Sequence, residues 1–375
     1  MSKAQLFIGI MSGTSLDGVD AALVAFENDK CTLQNTQFLP YPEELKLALL
    51  SLHKPQNNEL EASCILGCRL AHLYAETTKA LLKTVKVNAA EISAIGCHGQ
   101  TIRHRPELGF TLQIGNNALL AELTNITVVG DFRSRDIAAG GQGAPLVPAF
   151  HQAMFTSKNK SADKQKNRAI VNIGGIANIT YLGKNGDVLG FDSGPGNMLI
   201  DSWTKLKTGK DYDTNGAWAA TGVVIESLLT NMLAEPYFAL PPPKSTGRDL
   251  FNDDWLKQRQ LYPHLRPQDV ARTLTALTAQ SICDALSKCG EVDEVYLCGG
   301  GAHNQLLFDD LQANIHAASG AAVLSTTKAL GIDVDWVEAV AFAWLAKQCL
   351  ENKPSNLPAV TGAKSLRVLG AIYPA

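Results

Sequence analysis

One pattern occurs twice in this chain, and it limits the fold more than any single motif does. Residues 6–10 are apolar, Met11-Ser12-Gly13-Thr14-Ser15-Leu16-Asp17-Gly18 breaks the run, and residues 19–26 resume it. In the second half, residues 169–173 run into Gly174-Gly175-Ile176-Ala177-Asn178, and residues 179–182 return. Each copy reads as strand, small-residue turn, strand, which is a β-hairpin. Each half also presents a carboxylate at a later strand end, Asp131 after residues 127–129 and Asp192 after residues 188–191. Helical spacing at residues 60–85 and 270–286, and a helix apolar on nearly every face at 336–346, complete the pattern. Strands alternating with helices predict α/β sheets covered on both faces, here as two similar halves facing a cleft.

The chain is long enough for this. At 375 residues it fits two domains or three, and 46% hydrophobic against 18% charged residues excludes a disordered tail or a small disulfide-stapled module. A net charge of -3 gives no basic footprint for nucleic acid or an anionic membrane. No apolar run approaches the roughly 20 residues a bilayer requires. The start, with one lysine and a short apolar stretch, reads as mature structure rather than a secretory signal. Cys97, Cys283 and Cys298 lie in apolar segments, as reduced cysteines of a cytoplasmic protein do. Cys64 and Cys68, one helical turn apart, read as core thiols because no second Cys/His pair completes a metal site. Residues 157–167 are the clearest surface segment.

Several turns carry the residue types of a nucleotide site. Gly13 lets backbone N–H groups approach an anion, Thr14 and Ser15 add hydroxyls, and Asp17 can hold the cation that accompanies a polyphosphate. An ordinary turn uses the same residues, and no Gly-Lys-Ser/Thr follows, so this is not a Walker A loop. Asn172, Gly174 and Gly175 repeat the design. Cys298-Gly299-Gly300-Gly301-Ala302-His303-Asn304 follows a strand and opens a helix, where three glycines permit close approach of a flat ring or an anion. Asp192, followed by Ser193-Gly194-Pro195-Gly196-Asn197, is placed to take a proton from a nucleophile near a terminal phosphate. His98, Gly99 and Gln100 at one strand end, with Asp131 and Arg133 at another, form a polar rim suited to a sugar. Arg133 suits a carboxylate through its planar fork. Residues 140–145 (Gly-Gly-Gln-Gly-Ala-Pro) read equally as a hinge or lid and as a plain loop. Two readings fit Glu338: partner of Asp335 in a capping box, or a carboxylate touching magnesium through water.

Together these segments resemble a known family. GIMSGTSLDGVD, GCHGQTIRHRP, GDFRSRDIAAGGQGAPLVP, NIGGIANIT, GFDSGPGNMLID, KSTGRDLF and CGGGAHN occur in the order seen in anhydro-N-acetylmuramic acid kinases, across residues 8–346. That family is similar to the sugar kinase, heat-shock ATPase and actin superfamily. The resemblance implies a duplicated RNase H-like, actin-like ATPase fold with two lobes around a central cleft. The lobes would be residues 1–140, holding the sugar, and 141–349, holding the base and the adenosine turn, with residues 350–375 packing back on the first. It implies ATP with Mg2+, held by Gly13, Thr14, Ser15, Leu16, Asp17, Gly18, Val19, Asp20, Asn172, Gly174, Gly175, Gly194, Gly196, Gly299, Gly300, Gly301 and Asn304, with Glu338 toward the metal. His98, Gly99, Gln100, Asp131 and Arg133 would bind the amino sugar. Asp192 would activate water for attack at C1 of the 1,6-anhydro sugar while O6 leaves onto the γ-phosphoryl group, a step of cell-wall recycling. Small-molecule substrate, no nucleic acid or membrane, a cytoplasmic location and a homodimer follow from the same resemblance. Ser193 stands where Thr is common, and Arg103 occupies a variable position. A kinase acting on a plain hydroxyl is the alternative. An actin-like scaffold is a weaker one, since no room remains for an appended peptide-binding domain.

Overall fold

The computed structural model describes residues 4–13, 15–28, 30–55, 57–157, 165–259 and 265–375. The chain divides into two compact units, Met1–Met154 with Trp336–Ala375, and Phe155–Asp335. Thr14 and residues 158–164 of the expected surface segment lie outside the described residues. At that segment's end Asn167 is buried, its side-chain oxygen accepting from the Lys184 amide.

The first unit contains β1 (Gln5–Met11), β2 (Gly18–Glu27), β3 (Lys30–Pro40), β4 (Ile92–Cys97), β5 (Gln100–Arg105), β6 (Phe110–Ile114) and β7 (Val128–Gly130). Its main sheet runs β3-β2-β1-β4-β7 and ends on the C-terminal strand Ala371–Tyr373. β2 is antiparallel to β1 and β3, whereas β4 and β7 continue parallel to β1. β5 and β6 pair apart from it.

The period-two alternation of a strand decides what covers each face. Ile8, Ile10, Ile95 and Cys97 point into a core shared with Leu66, Leu70, Ala71 and Tyr74 of helix Glu59–Val85. The intervening residues are Gly9 and Gly96, which are register partners in β1 and β4. A Cβ at Gly9 would lie 1.7 Å from the Ala339 carbonyl oxygen, and one at Gly96 2.0 Å from that of Phe342. Helix Val337–Leu350 therefore seats its backbone directly on the opposite face. This is why it belongs to the first unit, and not to a second lobe spanning 141–349 as the sequence suggests.

The second unit repeats the arrangement with β8 (Arg168–Ile173), β9 (Ile176–Leu182), β10 (Val188–Pro195), β11 (Glu294–Cys298) and β12 (Val323–Thr326). Its order is β10-β9-β8-β11-β12, with β9 antiparallel to its neighbours and β11 and β12 parallel to β8. Ala169, Val171 and Ile173 face Ala279, Ile282 and Leu286 of helix Pro267–Ser287, and Leu307, Leu311 and Ile315 of helix Gln305–Ser319. Third strand, second, first, fourth, fifth is the order in both units, with the second strand reversed. This is the RNase H-like sheet, present twice, as expected of an actin-like ATPase fold.

Three details differ from the expectation. β3, β5 and β6 carry no continuous apolar run, because their polar residues sit on exposed or half-buried edges. β10 does not stop at Asp192 but continues to Pro195 through an irregularity between Asp192 and Gly194. Cys64 is exposed rather than in the core, and the half-buried Cys68 accepts from Asn116 Nδ2. No helix among the described residues is long and apolar enough to cross a membrane.

Candidate active site

In the first unit the β1–β2 turn is held from beneath by the end of β4 and the start of β5. The His98 amide donates to the Ile10 carbonyl at 3.0 Å, extending the β4 pairing by one residue. The Ser12 hydroxyl donates to Gly99 O at 3.0 Å, so its 2.8 Å contact with the Tyr74 hydroxyl takes Tyr74 as donor. Gln100 has no exposed surface. Its Nε2 donates to Gly13 O at 3.1 Å and its Oε1 accepts from the Tyr41 hydroxyl at 3.3 Å. Within the turn Leu16, Gly18 and Val19 are buried, and a Cβ at Gly18 would meet Leu39 O at 2.3 Å. Asp20 is half-buried in β2, paired with Met11 across the hairpin. Gly13 opens outward, with nothing nearer to its Cβ position than Ser15 Oγ at 3.6 Å. Ser15 and Asp17 are exposed. Among the described residues of this turn, Gly13, Ser15 and Asp17 are the ones open to a phosphate. Leu16, Gly18 and Val19, expected to bind nucleotide, pack their side-chain positions into the hairpin.

The expected sugar rim divides in the same way. His98 is 6% exposed. Its Nε2 accepts from Arg133 Nη2 at 2.9 Å and Nε at 3.3 Å, which leaves Nδ1 to donate to Ser12 O at 3.4 Å. Burial, and then the Arg133 charge, push its pKa down to about 3, so the ring is neutral. Each polar side-chain atom of His98 and Gln100 thus has a partner inside the unit, and both residues pin the β1–β2 turn. Gly99, at φ +74°, serves the same turn, where a Cβ would meet Ile114 O at 3.0 Å.

Arg133 and Asp131 remain. Arg133 is half-buried and donates through Nη1 to Gly143 O at 2.8 Å. Burial holds its pKa down to about 10, opposed by the Glu338 carboxylate nearby. Asp131 is exposed, and its Oδ1 accepts from the Ser134 hydroxyl at 2.5 Å. Glu338 is half-buried in the first turn of helix Val337–Leu350 and carries a raised pKa, driven by burial and moderated by Arg133. The capping box is not formed. Trp336 occupies the N-cap without a side-chain bond, and Asp335 accepts from His303 at 2.8 Å. Arg103 donates to Leu52 O and to Glu59.

In the second unit Asp192 sits where β10 becomes irregular. Its amide donates to Lys244 O at 3.0 Å and its carbonyl accepts from the Tyr237 hydroxyl at 2.7 Å. The carboxylate is asymmetric. Oδ2 accepts from Ser245 Oγ and the Thr246 amide, both at 3.0 Å, whereas Oδ1 takes no hydrogen bond among the described residues. Burial raises its pKa, against those two donors and Lys244. Lys244 is half-buried, its Nζ on Tyr237 O at 3.0 Å and over the Tyr237 ring, and burial with Lys288 nearby lowers its pKa to about 8. Lys244, Ser245 and Thr246 are contacts of Asp192 that the sequence reading left without a role. Their signal was a polar run, Lys244-Ser245-Thr246, directly after three consecutive prolines at 241–243. Ser193 donates its hydroxyl to Ala177 O at 3.1 Å, a bond that a Thr hydroxyl would also supply.

Three small-residue turns meet beside Asp192. Asn197 N donates to Gly174 O at 2.8 Å, and Gly196 N to Gly175 O at 2.9 Å. Gly196, Gly299 and Gly301 are packing glycines, since their Cβ positions fall 2.3 Å from Gly174 O, Asn172 Oδ1 and Ile173 Cγ2 respectively. Gly194 packs against Phe238, 2.6 Å from its Cβ position. Gly174, Gly175 and Gly300 are open, with nothing closer than 3.5, 3.8 and 3.9 Å. Asn304 is the N-cap of helix Gln305–Ser319, accepting from the Leu307 amide at 3.1 Å.

The profile of the anhydro-N-acetylmuramic acid kinase family matches residues 5–375. An anhydro-N-acetylmuramic acid kinase from Nitrosospira multiformis is 54% identical, covering 100% of this chain and 100% of that one. One from Pseudomonas syringae pv. tomato is 48% identical, covering 98% and 99%. Among solved structures, the activator of the 2-hydroxyisocaproyl-CoA dehydratase from Clostridium difficile with bound ADPNP is 12% identical with a TM-score of 0.46, covering 92% of this chain and 97% of that one.

Proposed function

The chain belongs to the anhydro-N-acetylmuramic acid kinase family and is a kinase acting on a sugar, and we propose that Asp192 is the base of a reaction that opens 1,6-anhydro-N-acetylmuramic acid and phosphorylates O6 with ATP. The observation that carries this reading is the asymmetry of the Asp192 carboxylate. Oδ2 is pinned by Ser245 and Thr246, and Oδ1 takes no donor among the described residues. A fixed carboxylate with one open oxygen suits proton transfer from a water molecule. Water adds at C1, its proton passes to Oδ1, the C1–O6 bond breaks, and O6 bonds to the γ-phosphorus as ADP leaves. The products are N-acetylmuramic acid 6-phosphate and ADP. ATP takes the place of the general acid that an inverting glycosidase would use on the leaving oxygen.

Gly13, Ser15 and Asp17 serve the β- and γ-phosphates. Gly174, Gly175 and Gly300 offer open backbone to the rest of the nucleotide. Arg133 reads the lactyl carboxylate and Asp131 a sugar hydroxyl, with His98 and Gln100 holding the turns that present them. Magnesium, when bound, neutralises the phosphates. Single carboxylates such as Glu338 and Asp17 suit it, because this ion keeps most of its waters and takes one or two protein oxygens beside phosphate. The cytoplasmic location and the homodimer belong to the same proposal.

The test is ADP release with the anhydro sugar in ¹⁸O-water, the product read by mass spectrometry. Heavy oxygen at C1 together with phosphate at O6 is expected. A phosphorylated product that keeps its anhydro ring means a plain hydroxyl kinase and overturns the water-activating role.

A further inference from the structure

We propose that Asp136, tied to the C-terminal segment of the chain, is a positioning residue that sets Arg133 for the substrate's carboxylate. The inference rests on the reading of Arg133 given above. Asp136 lies in the short helix Ser134–Ala138 with no exposed surface. Its Oδ1 accepts from Asn356 Nδ2 and Thr361 Oγ1, both at 2.8 Å, and its Oδ2 accepts from the Gly143 amide at 2.8 Å. All three donors are neutral. A buried carboxylate held only by neutral donors is costly unless each bond is made, so the arrangement fixes all four groups together.

Gly143 passes this restraint on. Its amide is held by Asp136 while its carbonyl accepts from Arg133 Nη1 at 2.8 Å. Gly141 lets the loop come this close, because a Cβ there would fall 2.2 Å from Asp136 Oδ2. The Gln142 amide donates to Thr361 O at 2.7 Å and the Lys364 amide to Ala139 O at 2.9 Å, so residues 140–145 are stitched to the C-terminal segment and are not a free lid. On its other side Arg133 is met by the neutral His98 ring, at 2.9 Å from Nη2. Of the five guanidinium N–H groups, these partners use Nε–H and one each on Nη1 and Nη2. One N–H on each terminal nitrogen is left for a ligand carboxylate.

The carboxylate at Asp136 is needed for this geometry. It accepts three bonds and donates none, whereas an amide would turn an NH2 toward a donor. Thr361 and Asn356 are remote in sequence from every motif of the site, and they touch neither the sugar's ligands nor the base.

The experiment compares Thr361→Val and Thr361→Ser in the full-length enzyme. Steady-state kinetics and calorimetric affinities are measured for 1,6-anhydro-N-acetylmuramic acid and for its glucosamine analogue, which lacks the lactyl group. Thr361→Val is expected to raise KM and Kd for the muramic sugar by about 2–10-fold, the range of one lost hydrogen bond. The loss should appear in KM rather than kcat, with little change in Kd for the analogue, and Thr361→Ser should restore the wild-type values. Equal losses on both sugars, or no loss on either, overturn the proposal. If Thr361→Val does not fold, Asn356→Ser removes a different donor and is judged by the same criteria. Arg133→Ala, measured alongside, separates the two layers. If it weakens both sugars equally, Arg133 does not read the carboxylate. If it is selective and Thr361→Val is not, the reading of Arg133 stands and the positioning role of Asp136 fails.

Discussion

The two units share one sheet order but use its strand ends in opposite ways. In the first, the turn after β4 is His98-Gly99-Gln100, and its side chains pin the neighbouring β1–β2 turn to Gly13 O and Ser12 O. In the second, the equivalent turn after β11 is Gly299-Gly300-Gly301. Its contact with the neighbouring turn is made by bare backbone against Asn172 and Ile173. Side chains discriminate, because their donors and acceptors fit one partner. Backbone lined by glycine admits a phosphate chain or a flat ring closely without reading much of it. On the proposed function, the first unit is the more selective half, reading the sugar through Arg133 and Asp131, and the second the more permissive, offering open backbone to the nucleotide, although Gly13, Ser15 and Asp17 of the first also serve phosphates.

The sharpest way to break that comparison is at Asp192, the base proposed for the second unit. Asp192→Asn keeps an acceptor for Ser245 and Thr246 but removes the base, so kcat should fall by roughly 10²–10⁴-fold while ATP still binds. Stability should move the other way. Burial raises the Asp192 pKa in the folded state, so folding favours the neutral acid. That contribution is present below the unfolded-state pKa and is lost as pH rises through the folded-state value. At pH 7 the ionised carboxylate therefore destabilises the fold, and Asp192→Asn should melt at or above the wild-type temperature. Near wild-type turnover in this variant would remove Asp192 from the mechanism.

Glycines offer the next contrast. Gly9→Ala places a methyl 1.7 Å from Ala339 O, against a helix backbone that cannot give way. It should cost about 1–3 kcal/mol or more and lower the melting temperature of the whole enzyme. Gly300→Ala meets nothing within 3.9 Å, so melting should change little, and the loss should fall on the KM for ATP. Equal melting temperatures for the two variants would mean that the packing and ligand-facing glycines are not distinct.

The hairpins and the long helices were legible because each has a strong local signal, either an apolar period or a glycine run, and Asp131 does follow β7, whereas β10 runs on past Asp192. The family's seven segments added their order. What stayed hidden was long-range. Nothing local to residues 336–346 says that they dock on Gly9 and Gly96, so the unit boundary was misplaced. His98 and Gln100 carry the residue types of sugar ligands. Only the positions of Arg133, Ser12, Gly13 and Tyr41 show that their polar atoms are already engaged. Asp136 was invisible for the same reason, since two of its three donors lie beyond residue 350.

The smallest effect tests how the permissive unit tunes its base. Ser245→Ala removes one of the two donors on Asp192 Oδ2 and leaves the Thr246 amide in place. Ser245 stabilises the ionised form, so its loss lets burial raise the Asp192 pKa further. Activity requires the ionised carboxylate, and the acid limb of the kcat/KM profile should therefore move to higher pH. One charge-assisted hydrogen bond of this kind is worth about 1.5–3 kcal/mol before solvent screening, so a shift on the order of one pH unit is the upper expectation. Above the limb the loss of rate should be modest, since Oδ1 is untouched. Ser245→Thr, which keeps the hydroxyl, should return the limb to its wild-type position. A limb that stays in place in Ser245→Ala, with the rate reduced at every pH, would mean that Ser245 orients the carboxylate without tuning it.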